Sequence, residues 1–232
     1  LIGSWGFYTG SSLNVGKVYL LFGQAVSWPT STSASDIGTS IPGIQIFGVS
    51  GSYCGHSLNN AGDVNEDGFD DLIIGGYMAS PKGRTNAGVA WIVFGRSTSS
   101  WPLTSTMNLT TATPSDGVIA IQGAVGGDKL GSSVAGGVDV NDDKIHDVIV
   151  GAPGASANGK SQAGKTFVLF GRKNWTNSGT IDTSNVSIFF DGTIGGFILF
   201  GENPSDQSGT SVNGLGDVNH DGIQDFIIGA YA

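Results

Sequence analysis

Three copies of one nine-residue acidic loop constrain this chain more than anything else in it. They read Asp63-Val-Asn-Glu-Asp-Gly-Phe-Asp-Asp71, Asp139-Val-Asn-Asp-Asp-Lys-Ile-His-Asp147 and Asp217-Val-Asn-His-Asp-Gly-Ile-Gln-Asp225. Each places oxygen-bearing side chains at positions one, three, five and nine. The copies start 76 and 78 residues apart, so the chain is built on a long repeat. Hard cations such as calcium are bound by carboxylates, an amide oxygen and a backbone carbonyl on a tight loop. A single copy would read equally well as a solvated Asx-rich turn. Three copies in phase point to Ca²⁺.

The candidate ligands in the first loop are Asp63, Asn65, Asp67 and Asp71, with the Phe69 carbonyl fifth. In the third they are Asp217, Asn219, Asp221 and Asp225, with the Ile223 carbonyl. Both loops carry glycine at position six, Gly68 and Gly222, where a sharp turn favours left-handed backbone angles. The second loop offers Asp139, Asn141, Asp143 and Asp147, with the Ile145 carbonyl. It has Lys144 at position six, which costs on the order of 1 kcal/mol in a left-handed conformation and adds a cation near the ion. The second site is therefore expected to be the weakest.

Four short apolar segments recur around each loop. The first leads in: Gly55-His-Ser-Leu, Gly131-Ser-Ser-Val and Gly209-Thr-Ser-Val. The second follows: Leu72-Ile-Ile-Gly, Val148-Ile-Val-Gly and Phe226-Ile-Ile-Gly. The third ends in Phe-Gly: Val18-Tyr-Leu-Leu-Phe-Gly23, Trp91-Ile-Val-Phe-Gly95 and Phe167-Val-Leu-Phe-Gly171. The fourth is Gly43-Ile-Gln-Ile-Phe, Gly117-Val-Ile-Ala-Ile and Gly196-Phe-Ile-Leu-Phe. All are too short for helices and are bounded by Gly, Pro or Ser. Four strands repeated radially make a blade of a β-propeller, so the expected fold is all-β, with four-stranded antiparallel blades.

Composition agrees. The chain has 232 residues, of which 39 are glycine and only 12% charged, as turn-rich β proteins require. Its net charge is −9, and the candidate-ligand aspartates of the three loops, at positions one, five and nine, are nine of its 19 acidic residues. Three bound dications would bring the charge to about −3. The acidity thus belongs to ion sites, and neither nucleic-acid binding nor binding to anionic membranes is expected. No apolar run approaches the ~20 residues of a membrane span.

These repeats resemble the FG-GAP repeats of integrin α chains and of related bacterial and protist surface proteins. The Phe-Gly of the third strand and Gly151-Ala-Pro153 after the second carry the likeness, with Gly75-Gly-Tyr77 and Gly229-Ala-Tyr231 as variants. The resemblance covers nearly the whole chain apart from the linkers after the third strand. It implies calcium at the loop positions already named. It also implies a non-enzymatic, extracellular or cell-surface role in adhesion, surface recognition or assembly of a larger structure such as a filament. Lectin-like carbohydrate binding is an alternative. Another is service as the non-catalytic propeller of a larger phospholipase-type enzyme.

The repeat phase divides the chain. Residues 1–54 hold strands three and four of a first blade. Residues 55–130 and 131–208 are complete blades with loops 63–71 and 139–147. Residues 209–232 hold strands one and two of a further blade with loop 217–225. Two complete blades plus two half-blades are too few to close, since propellers have about 4 to 8 blades. Unpaired strand edges invite pairing. Completion within a longer chain, a dimer closing six blades, and a head-to-tail filament all fit.

Strand parity puts the calcium loops and the linkers 24–42, 96–116 and 172–195 on one face. The resemblance assigns protein or glycan ligands to the opposite face. There lie Trp5, Phe7, Tyr8, Tyr53, Tyr77, Lys82, Arg84, Asp128, Lys129 and Lys160. Trp28, Trp101 and Trp175 each follow a Phe-Gly closely and read as a repeated packing anchor, or as a carbohydrate platform. The single cysteine, Cys54, excludes an intrachain disulfide and reads as a buried small residue. His56, His146 and His220 read as packing or solvent-facing residues. No nucleophile elbow, catalytic triad or phosphate loop is present. Asn108, Asn174 and Asn185 open N-glycosylation triplets, all within the linkers between strands three and four.

Overall fold

The computed structural model describes residues 1–8, 10, 14–25, 28–102, 105–175, 179–185 and 195–231. Among these residues, fifteen strands form, and the only helical pieces are three-residue 3-10 turns. No helix among them is long and apolar enough to cross a membrane.

The strands fall into successive antiparallel sheets that are the blades of an incomplete propeller. Strands β1 (Ile2–Ser4), β2 (Lys17–Leu21) and β3 (Gly43–Phe47) make the first. The second contains β4 (Ser57–Gly62), β5 (Asp71–Gly76), β6 (Val89–Val93) and β8 (Val118–Gln122). The third contains β9 (Ser133–Val138), β10 (Asp147–Ala152), β11 (Lys165–Leu169) and β13 (Gly196–Phe200). The pair β14 (Ser211–Gly216) and β15 (Asp225–Gly229) begins another.

β5, β6 and β10 are buried at every position. This is why β6, and β5 and β10 after their leading Asp71 and Asp147, are apolar runs and not alternating ones. Ile73, Ile92, Ile119 and Ile121 meet Val134, Val148, Val150 and Phe167 in one core between the second and third blades. A second core holds Val18, Ile44, Ile46, Ile74, Trp91 and Val118 between the first and second.

The innermost strands of neighbouring blades come very close. A methyl group placed on Gly75 would lie 2.2 Å from the Gly131 carbonyl oxygen, so only glycine fits there. Beside it Ser57 Oγ donates to that same carbonyl at 2.9 Å, and Ser133 Oγ repeats the bond to Gly209 O at 2.8 Å.

The linkers do more than connect. Residues Thr106–Asn108 form β7, which lies parallel to β3 of the preceding blade. Residues Thr180–Asp182 form β12, which lies parallel to β8. Each turns its middle residue inward, Met107 and Ile181, and leaves the first residue exposed. The second blade is thus a five-stranded sheet whose outermost strand comes from the third blade's linker. This covers the outer edge that a fourth strand would otherwise leave open.

Arg84 holds β12 in place. Its Nη1 and Nη2 donate to Asp182 Oδ1 and Oδ2 at 2.8 and 2.7 Å, and Lys82 Nζ adds a third bond at 2.7 Å. The guanidinium holds the Asp182 carboxyl well below the usual carboxylate range.

Two of the three recurrent tryptophans, Trp101 and Trp175, work at the seams. Trp101 packs on Phe22 of the preceding blade, with ring centroids 6.0 Å apart, and Trp175 packs on Phe94 at 6.4 Å. Arg96 and Arg172 lie over these two indoles at 4.9 and 5.1 Å. Trp28 stands 44% exposed. Cys54 is fully buried just before β4, and burial pushes its thiol up to about 12.

Candidate metal centre

All three acidic loops have the same internal geometry. In the first, Asp67 N donates to both Asp63 Oδ1 and Asn65 Oδ1 at 3.1 Å. Gly68 N donates to Asp63 Oδ2 at 2.8 Å, and Phe69 N to Asp67 Oδ1 at 2.9 Å. In the second, Asp143 N bonds Asp139 Oδ1 and Asn141 Oδ1 at 3.1 and 3.2 Å. Lys144 N reaches Asp139 Oδ2 and Ile145 N reaches Asp143 Oδ1, each at 2.9 Å. The third matches, with Asp221, Gly222 and Ile223 donating to Asp217, Asn219 and Asp221 between 2.9 and 3.1 Å. One shared N–H gathers the position-one and position-three oxygens onto the same side of each loop.

Two residues per loop are left-handed. Position six has φ of 89° at Gly68, 72° at Lys144 and 91° at Gly222. Position four is left-handed too, at Glu66, Asp142 and His220, and no glycine there announces it. The Lys144 ammonium turns to Asp142 and not to the candidate ligands.

Position nine is the deepest. Asp71 is fully buried; its Oδ2 accepts Val64 N at 2.9 Å and its Oδ1 accepts Gly95 N at 2.7 Å. Asp147 repeats this with Val140 N and Gly171 N, both at 2.8 Å. Burial pushes both carboxyls up to about 7 against those N–H bonds, and the other aspartates of each loop add to the rise. The same contact explains the Phe-Gly signature. A methyl on Gly95 would lie 2.1 Å from Asp70 O, so glycine lets the third strand's end bring its N–H to the carboxylate.

Among the described residues no three Asp, Glu, His or Cys side chains close on one point. The set in each loop is instead mixed: carboxylates, one amide oxygen and one backbone carbonyl. It consists of oxygens alone, which suits a hard divalent cation and not zinc or copper. A buried carboxylate flanked by two more calls for a counter-charge, and a cation held at positions one, three, five, seven and nine would supply it.

Position eight gives a feature the sequence does not announce. Asp63 N donates to His146 Nδ1 at 3.1 Å, and Asp139 N to Gln224 Oε1 at 2.8 Å. The second and third loops each thus reach the first aspartate of the loop before.

On the opposite face Trp5, Tyr53, His56 and Tyr77 form one aromatic cluster. Trp5 stacks on Tyr53 at 5.8 Å, and His56 lies 4.5 Å from Tyr77. Tyr8 is exposed, whereas Phe7 packs on Phe47 beside the buried Lys17. Arg84 and Lys82 are engaged by Asp182, Asp128 is buried with its carboxylate on Val125 N, and Lys160 bonds Glu202 O. Lys129 is exposed and left-handed. Asn108, Asn174 and Asn185 are all exposed; Thr176, Val186 and Ser187 of their triplets lie outside the described residues.

A family model described as FG-GAP repeat matches residues 55–93 and 130–169, and the chain belongs with the integrin α-like FG-GAP repeat proteins. Integrin alpha pat-2 of Caenorhabditis briggsae is 32% identical over 190 residues, covering 78% of this chain and 13% of that protein. Integrin alpha-IIb of Mus musculus is 32% identical over 146 residues, or 61% of this chain and 12% of that protein. Phosphatidylinositol-glycan-specific phospholipase D of Bos taurus is 28% identical over 145 residues, or 59% of this chain and 16% of that protein. The chain spans less than a fifth of each of these relatives.

Proposed function

We propose that this chain is a calcium-binding propeller segment of an extracellular or cell-surface protein, working in adhesion, surface recognition or assembly and not itself catalysing a reaction. The observation that carries the reading is the threefold recurrence of one oxygen-lined loop with one hydrogen-bond pattern. Bound calcium would neutralise the clustered carboxylates of each loop. The chain's own contribution is the turn that gathers those oxygens and the N–H groups of Val64 and Gly95 that orient Asp71. The likeness to integrin α chains supports the adhesive role and the outward location.

Calorimetric titration of the chain with CaCl₂, and a thermal melt with and without chelator, test this. Heat at three sites and a lower melting temperature after chelation are expected. No binding at millimolar calcium refutes the reading.

The partner is a protein or glycan bound at the face opposite the loops, and the cluster around Trp5 and Tyr53 supports that placement. A glycan array separates the lectin-like alternative from a protein-binding module. The phospholipase D relative supports the other alternative, a propeller serving a catalytic part elsewhere. Self-association belongs to the same reading. Native mass in calcium and in chelator tests it, and intact mass of protein from a secreting eukaryote tests glycans at the three asparagines.

A further inference from the structure

We propose that the eighth residue of the second and third loops, His146 and Gln224, is a positioning residue that couples neighbouring calcium sites, so that the three loops load cooperatively. The proposal rests on the calcium reading above and concerns how the sites act on one another.

The contact at each junction is reciprocal. His146 N donates to Asp63 O at 3.3 Å while His146 Nδ1 accepts Asp63 N at 3.1 Å. Gln224 N donates to Asp139 O at 3.2 Å while Gln224 Oε1 accepts Asp139 N at 2.8 Å. An imidazole and an amide thus do the same thing: each clamps both backbone polar groups of the first ligand of the preceding loop. What the two side chains share is an acceptor atom at one reach, which is a functional identity without a residue identity.

The clamp links ligands to ligands. His146 stands between positions seven and nine of its own loop, the Ile145 carbonyl and Asp147. Its partner, Asp63, is position one of the loop before, with its carboxylate already bridging Asp67 N and Gly68 N. The fit is close: a methyl on Gly62 would lie 2.5 Å from His146 Cγ. Fixing positions seven and nine of the second loop therefore fixes His146, and a fixed His146 holds Asp63 where the first loop needs it. The ordering cost met by one site is spared to its neighbour, which is positive coupling, and it acts equally in both directions.

The test follows the amides of Gly68, Lys144 and Gly222 by ¹⁵N NMR while the chain is titrated with CaCl₂. Asp143→Asn weakens the second loop without touching the clamp. It is expected to raise the calcium midpoint at Gly68 up to about fivefold, the coupling that one neutral hydrogen bond can carry. In a His146→Ala background, Asp143→Asn should leave the Gly68 midpoint where His146→Ala alone puts it. His146→Gln, which restores an acceptor like that of Gln224, should restore the coupling. A Gly68 midpoint indifferent to Asp143→Asn overturns the proposal, as does coupling that survives His146→Ala. Absence of any calcium-dependent shift at Gly68 is a different result: it refutes the calcium reading and this proposal with it.

Discussion

Trp175 gives the sharpest quantitative test of how the blades are joined. It is 2% exposed, its ring lies on Phe94 of the preceding blade, and its Nε1 donates to Val64 O at 2.8 Å. A buried tryptophan removes about 150–250 Å² from water, worth about 4–6 kcal/mol at 25 cal/mol per Å². Measured truncations of this kind run to about 3–5 kcal/mol, so Trp175→Ala should cost about 4 kcal/mol. Trp175→Phe keeps most of the ring and loses the N–H. The Val64 carbonyl then still accepts Arg172 N at 2.8 Å and is not orphaned. The cost should fall to about 1–2 kcal/mol, one hydrogen bond and part of a ring. Trp101, 7% exposed against Phe22, should resemble Trp175. Trp28, 44% exposed, should cost less than about 1 kcal/mol when truncated. Denaturant unfolding followed by circular dichroism at one fixed calcium concentration measures all four, because ligand linkage is then constant. A Trp28→Ala cost equal to that of Trp175→Ala would refute the assignment of these residues as seam anchors. So would a Trp175→Ala cost below 1 kcal/mol.

Asp182→Asn should cost about 1–3 kcal/mol, because it breaks the charge-assisted pair with Arg84 that holds β12. The Asp182 carboxyl is held below its ordinary range in the folded chain. The pair's contribution is therefore full above about pH 4 and lost as pH falls further, so an acid melt of Asp182→Asn should lose less stability below pH 4 than wild type. Lys144→Gly should raise stability by about 1 kcal/mol and tighten the second loop, since φ there is 72°; calcium titration at Lys144→Gly that shows no gain contradicts this. Chelation should remove about 2.7 kcal/mol per site from protein held at a hundredfold excess of calcium over the dissociation constant, read as a drop in melting temperature.

What could be read from sequence, and what could not, follows from how each feature is encoded. The blade strands are legible because β5, β6 and β10 are buried throughout and, past the leading Asp71 and Asp147, must be apolar at every step. The loops are legible because oxygen ligands need specific residue types at fixed spacing. β7 and β12 leave almost no trace, since each is three residues long with one inward side chain, Met107 or Ile181. The pairing of Arg84 with Asp182 spans 98 residues and carries no local signal. Position eight hides for another reason. Asp70, His146 and Gln224 share no residue type, and only an acceptor atom is required where His146 and Gln224 meet the preceding loop. The left-handed turn at position four is hidden likewise, because Glu66, Asp142 and His220 occupy it without glycine.

The Phe-Gly signature and the acidic loop turn out to be two ends of one contact. Gly95 gives its N–H to Asp71, and Asp71 holds Val64 N with its other oxygen. Val64 in turn presents its carbonyl to Arg172 N and Trp175 Nε1 of the next blade. The first loop is therefore tied to its own third strand through position nine and to the following blade through positions one and two. A cation held there would act on a seam between blades as well as on a hairpin, which gives a physical reason for a propeller of this kind to keep one such loop in each repeat. It also explains why the repeat constrains spacing so tightly. Lengthening the segment between Asp71 and Gly95 would move the Phe-Gly away from the only carboxylate its N–H meets. Lengthening the segment between Arg172 and Trp175, which both meet the Val64 carbonyl, would pull the indole off it. Among the described residues, the linkers beyond Trp101 and Trp175 carry no such double constraint except where β7 and β12 touch down, and these are the stretches where the repeats differ most in sequence.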